Sequence, residues 1–135
     1  MIDILTFSKA LAGKIYLATG VETLTEGDNS VYGGEFSDLI ILAHGGNNEA
    51  VAGNSTYSTE YRLSYIYQPE TMEETAAAQK QAQIFQNIAD YINGISRYSE
   101  LGGAVILDAQ VKPYEINYNG AAIQYIIPLS FVLQF

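Results

Sequence analysis

The sequence predicts an α+β fold: a mixed, largely antiparallel sheet with two helices packed on one face, in the order α-β-β-β-α-β-β. Three observations carry this. From Tyr57 to Tyr67 tyrosine, threonine and leucine occupy every second position, the period of a half-buried strand. An alanine- and glutamine-rich run after Pro69 has helical spacing as far as Asn93. Two long extended runs near the C-terminus flank Asn119-Gly120, a two-residue hairpin signal. The hairpin makes the sheet at least partly antiparallel, and strands and helices do not alternate strictly, so helices cover one face.

The elements follow in chain order. Ile4, Phe7 and Leu11 fall at helical spacing, and Gly13 is a reasonable stop, which predicts a helix from about Ile2 to Ala12. A brief strand, Ile15 to Thr19, should follow. Gly20 to Ser37 is acidic and glycine-rich and reads as a long loop. The compact apolar run Asp38 to His44 predicts a buried strand. Gly45 to Thr56, with Gly and Asn at both ends, predicts a second loop.

The tyrosine-rich strand places Tyr57, Thr59, Tyr61, Leu63, Tyr65 and Tyr67 on one face, and Ser58, Glu60, Arg62, Ser64 and Ile66 on the other. Pro69 cannot donate to a ladder and ends it. Thr71 followed by Glu74 has the form of a capping box, and Glu70, Glu73 and Glu74 suit the positive end of a helix. This helix should run to about Asn93, with Gly94 as its stop. Ala77, Ile84, Phe85, Ile88 and Ile92 form its expected buried stripe; Gln79, Lys80, Gln83, Gln86 and Asp90 face outward. On the final strand Ile123, Tyr125, Ile127, Leu129, Phe131 and Leu133 share a face, yet Ile126 and Val132 make the other face apolar too. Such a strand is buried on both sides, within the domain or by a neighbouring subunit. Pro113 and Pro128 each mark a bulge, bend or edge.

Composition bounds the function. The 135 residues suit one domain, 1–135, and 48% hydrophobic residues exclude a disordered chain. No apolar run reaches the ~20 residues of a membrane helix, and the start lacks the basic leader of a signal peptide, so no membrane partner is expected. The absence of cysteine rules out disulfides and thiolate metal sites. A net charge of −9, with six scattered basic residues, argues against sequence-specific DNA binding.

Chemistry finds little footing, and neither catalytic residues, nor a metal, nor a cofactor is expected. His44, the single histidine, stands at a strand end before two glycines, where active-site residues do occur. General acid–base work needs a positioned partner, and no second histidine exists; nor does any serine stand in a nucleophile-elbow context. Glu26 to Ser30 lacks the alternating oxygen ligands and closing glutamate of a calcium loop. The glycine pairs lack the spacing and lysine of a phosphate loop. The compositional oddity is 11 tyrosines without tryptophan, amphipathic rings that suit protein interfaces as well as packing under a helix. Tyr57, Tyr61, Tyr65, Tyr67 and the apolar terminus Phe135 are therefore candidate interface residues.

The run of an N-terminal helix, short strands, a long loop, the strand STEYRLSYIYQPE, the helix TMEETAAAQKQAQIFQNIADYIN and the closing segment ILDAQVKPYEINYNGAAIQYIIPLSFVLQF resembles a known family. It is similar to the tail terminator (tail completion, minor capsid) proteins of long-tailed bacteriophages and prophages. The resemblance is one of element order and length over nearly the whole chain. It implies a structural, non-enzymatic protein of the virion tail or neck, assembled in the bacterial cytoplasm. Such a subunit associates with itself, usually as a hexameric ring, on the tail tube protein. The ring stops tube growth and offers a surface to the head connector protein. DNA would pass through it without specific binding, and the loop acids Glu22, Glu26, Asp28 and Glu35 are then candidates to approach the channel. Tail tube and head–tail connector subunits share the resemblance. The alternative from another class is a small acidic ligand-binding or enzymatic domain built around His44.

Overall fold

A computed structural model of the chain describes residues 4–25, 38–45, 49–52, 56–67, 73–119 and 122–135. Helix α1 (Ile4–Thr19) opens the chain. Strands β1 (Thr23–Thr25), β2 (Asp38–His44), β3 (Glu49–Ala52) and β4 (Thr56–Tyr67) precede helix α2 (Glu74–Asn93). Strands β5 (Ser99–Leu101), β6 (Ala104–Val111), β7 (Glu115–Asn119) and β8 (Ala122–Gln134) complete it. The fold is α+β, and the expected order of main elements is kept, with the short strands β3, β5 and β7 added to it.

One sheet holds every described strand, in the order β1-β2-β4-β8-β6-β5. Its spine is the antiparallel pair β4 and β8, in register from Thr56 opposite Gln134 to Tyr67 opposite Ile123. The outer edge of β4 is covered by β2 and then β3; that of β8 by β6 and then β7. Among the described strands only β1 and β2 run parallel.

Alternation along the spine builds the core. Tyr61, Leu63, Tyr65 and Tyr67 of β4, and Tyr125, Ile127, Leu129, Phe131 and Leu133 of β8, are buried in one cluster with residues of both helices. Since these rows share one sheet face, both helices lie on it. The opposite face of β8 is half-buried, with Ile126, Pro128 and Val132 partly covered.

The prolines explain how the sheet turns. Pro113 separates β6 from β7. The Pro128 carbonyl accepts from the Lys112 amide at 3.0 Å, so the proline nitrogen also faces that break. Its missing donor thus falls where the neighbouring ladder is already interrupted, and the pairing with β4 runs on through Arg62.

Four boundaries differ from expectation. Ile15 to Thr19 is not a strand but the end of α1, because Ile15 extends the buried stripe of Phe7 and Leu11, all fully enclosed. Burying an isoleucine outweighs the ~1 kcal/mol cost of Gly13 inside a helix. The stop is Gly20 instead, at φ +72°, whose amide donates to the Tyr16 carbonyl at 2.8 Å. The two expected loops contain the short strands β1 and β3. Helix α2 has Glu73 as its N-cap, in extended conformation with no side-chain cap, and the capping box is expected at Thr71. Thr71 lies outside the described residues. Finally, Gly102 and Gly103 make a tight two-residue hairpin between β5 and β6.

Helix α2 buries Ala77, Ile84, Ile88 and Ile92 and half-buries Phe85, as its periodicity predicts. Gln83 and Gln86 donate to Asn87 and Asp90 one turn on, along the exposed face. Gln81 completes the buried stripe, 3% exposed, and its amide nitrogen has no hydrogen-bond partner among the described residues. An unpaired buried amide costs about 1–3 kcal/mol. Gln81→Met, which keeps length without the donor, is expected to raise stability by about 1 kcal/mol in thermal or urea unfolding. A destabilisation of that size would show that the amide is satisfied in solution.

Candidate functional site

Three places could bear function: the surroundings of His44, the tyrosine cluster, and the outer side of α1. His44 ends β2 opposite Tyr61, with ring centroids 5.2 Å apart. Its Nε2 lies 2.6 Å from the hydroxyl of Thr59, which is buried. Strand alternation puts these groups on the helix-covered side. A cleft of about 480 Å³ at this strand end is bordered by His44 and Tyr61 as well as by Glu60, Arg62, Glu115, Ile126 and Pro128. By the same alternation the charged residues of that cleft project from the opposite face. Glu60 there meets Lys112 at 3.4 Å, both half-exposed. His44 and these carboxylates nonetheless border one cleft at the strand end. Among the described residues no three His, Asp or Glu side chains gather as a metal site would require.

The tyrosines divide. Tyr61, Tyr65 and Tyr67 are each at most 2% exposed, so the surface role expected for them is replaced by packing. The cause is register: α2 and α1 lie on the row of β4 that carries them. Tyr65, Tyr67 and Tyr125 stack at 6.3–6.4 Å with interplanar angles of 20–29°. Tyr114 meets Tyr125 and Phe85 edge-on, tying the β6–β7 break to α2. Tyr57 and Phe135 remain partly exposed and touch each other in a T-shaped pair at 6.2 Å. They are the two members of the expected interface set that keep some surface.

The buried hydroxyls are held individually. Ser8 donates to the Ile4 carbonyl at 2.7 Å, so its 2.6 Å contact with Tyr61 is donated by the phenol. Burial pushes the Tyr61 phenol up to about 12, with the Ser8 hydroxyl offsetting part of the rise. Tyr65 donates to Asp38 at 2.9 Å, and Asp38 also pairs with Lys80 of α2. Lys80, expected to face outward, therefore bridges helix to sheet. Burial first, then the Asp38 hydrogen bond and charge, raise the Tyr65 phenol far above its ordinary range. Burial also raises Tyr91.

On the outer side of α1, Leu5 is 58%, Tyr16 50% and Leu17 76% exposed. Of the candidate channel acids, Glu22 is exposed beside this helix. Glu26, Asp28 and Glu35 lie outside the described residues. Tyr16 and Leu17 lie beyond the helix stop expected at Gly13, so the sequence alone does not place them on a helix surface. The sign available was the apolar pair Tyr16-Leu17, one residue past the stripe position Ile15.

No family model matches the sequence, and no curated protein does. Solved structures do match. One of them, a chain whose name carries no description, aligns over 98% of this chain and 93% of its own, at 11% identity and a TM-score of 0.53. A likeness at that identity is one of fold alone. Among the described residues no helix is long and apolar enough to cross a membrane.

Proposed function

We propose that this chain is a structural subunit of a bacteriophage tail or neck, a terminator that assembles as a ring, closes the tail tube and offers a face to the head connector. The observation that carries the reading is the order and length of its elements. A 12-residue strand leads to a 20-residue helix, then to a hairpin returning through a 13-residue strand on the same spine. That is the arrangement the family resemblance implies. The contact of His44 with the hydroxyl of buried Thr59 is consistent with a structural role for the ring. The charge of −9 fits a ring that lets DNA pass without holding it.

The test is co-expression with the tail tube protein of a long-tailed phage, followed by electron microscopy. Tubes of bounded length with added density at one end are expected. Tubes of unrestricted length with no bound chain would refute the reading. Tubes formed by this chain alone would make it the tube subunit instead.

A further inference from the structure

The sheet face turned away from the helices carries a trough where Pro113 separates β6 from β7. Ile126 and Pro128 of β8, both half-buried, form its floor. Arg62 of β4 stands on one side, in register with Pro128. Glu115 of β7 stands on the other, in register with Ile126. All four border the cleft of about 480 Å³ at the end of β2, a volume within the usual range of small-molecule sites. Two further charges reach this trough, Glu60 and Lys112, and they pair with each other at 3.4 Å. Arg62 and Glu115 are exposed, and neither has an ion pair or a side-chain hydrogen bond among the described residues, with each other or with a third group. One charge of each sign is therefore left, on opposite sides of an apolar floor.

Strand register sets the distance between those two charges. β4 and β7 pair with opposite edges of β8, so their main chains lie two strand spacings apart, about 10 Å. Arg62 and Glu115 are also offset by two residues along β8, about 7 Å. Side chains stand roughly perpendicular to a sheet, so the two groups face each other along a diagonal of ~12 Å over Ile126 and Pro128. Two charge-assisted hydrogen bonds of about 2.8 Å take up roughly half of that and leave ~6 Å between the charges of a ligand. An α-amino acid, with both groups on one carbon, is too short. A carboxylate and an ammonium joined by about four methylenes fit the gap, and the methylenes then lie along the apolar floor.

We infer that this trough binds a linear ω-amino acid, its carboxylate on Arg62, its ammonium on Glu115 and its methylenes over Ile126 and Pro128. The guanidinium offers a carboxylate two parallel donors. Glu60, two residues from Arg62 on the same face, is the acid that could compete for it, and Lys112 holds that acid. A ligand of one sign satisfies one end of the trough and leaves the other charge unanswered, so discrimination rests on the presence of both groups and on their spacing. The inference goes beyond the structural role proposed above and does not depend on it.

The experiment is calorimetric titration of the full chain with δ-aminovalerate, and with valerate, amylamine and glycine as controls. δ-Aminovalerate is expected to bind at one site per chain, and each control at least tenfold more weakly. Arg62→Gln and Glu115→Gln, both at exposed positions, should each weaken binding at least tenfold with circular dichroism unchanged. The two variants should also differ in kind. In Arg62→Gln, δ-aminovalerate and amylamine should bind alike, because the carboxylate has lost its partner. In Glu115→Gln, δ-aminovalerate and valerate should bind alike, because the ammonium has lost its own. A general loss of structure cannot produce that pair of convergences. No binding of δ-aminovalerate at about 10 mM, an excess over any constant near 1 mM, would overturn the inference. Controls that bind as tightly as δ-aminovalerate, or variants that bind as the wild type does, would overturn it equally. None of these outcomes touches tube capping, so the tail reading stands or falls by its own test.

Discussion

Replacing Gly102 with alanine is expected to destabilise the fold by about 2–5 kcal/mol, the sum of backbone strain and steric overlap. Gly102 sits at φ +56° in the β5–β6 hairpin, where an L side chain is disfavoured. A Cβ there would also come within 2.7 Å of the Phe7 Cα and 2.8 Å of the Thr6 carbonyl oxygen. Both are main-chain atoms of α1 and cannot turn aside as a flexible side chain could. Relief requires moving the hairpin or the helix, and Phe7 anchors that helix through its ring contacts with Tyr61 and Phe131. Gly103 provides the control: its φ is +81°, but its Cβ would meet open space. Gly103→Ala should therefore show the strain alone, about 1–2 kcal/mol. Urea unfolding of the two variants separates the causes. Equal losses would mean that α1 does not press on the hairpin.

How far the fold was readable depends on where the decisive contacts lie. The β4 strand, the α2 stripe and the hairpin at Asn119 are written in local periodicity, and local periodicity is what a sequence displays. The end of α1 was not, because two glycines competed. Gly13 looked like a stop, yet only the core, by enclosing Ile15, decides that the helix runs on to Gly20. Strands β1, β3 and β5 have three or four residues each and owe their existence to partners in β2, β4 and β6. Segments so short carry no period of their own. The Gly102-Gly103 turn did have a local signal, a glycine pair after a leucine, and it passed unread because the strand before it is so brief.

The candidate sites followed the same division. Tyrosine content pointed to an amphipathic face, but which face meets solvent depends on where the helices settle. They settle on Tyr61, Tyr65 and Tyr67. The surface left over is Leu5, Tyr16 and Leu17, on a segment whose helical state was itself a tertiary outcome. Lys80 reaching Asp38 is likewise a contact between residues 42 apart in sequence, invisible to any local rule.

Those buried tyrosines give the second large effect, a loss of stability in alkali. A tyrosine whose folded-state value exceeds its unfolded one retains a proton that the unfolded chain releases. The unfolded chain then binds fewer protons, so stability falls as pH rises. The contribution is complete below pH ~10, the ordinary value of an unfolded tyrosine, and is lost as pH climbs toward the folded value. For Tyr61 that window runs from about 10 to about 12. Each unit is worth about 1.4 kcal/mol, so this residue alone withdraws roughly 2–3 kcal/mol across it. Tyr65, raised further by burial and by Asp38, and Tyr91 act in the same direction. Tyrosinate absorbance should therefore rise in two phases: a gradual one with circular dichroism unchanged, then a cooperative one that coincides with unfolding. Tyr61→Phe removes one of the buried phenols and should move the second phase to higher pH, less the cost of leaving Ser8 without its donor. A single smooth titration with the fold intact throughout would show that the buried hydroxyls reach water without unfolding.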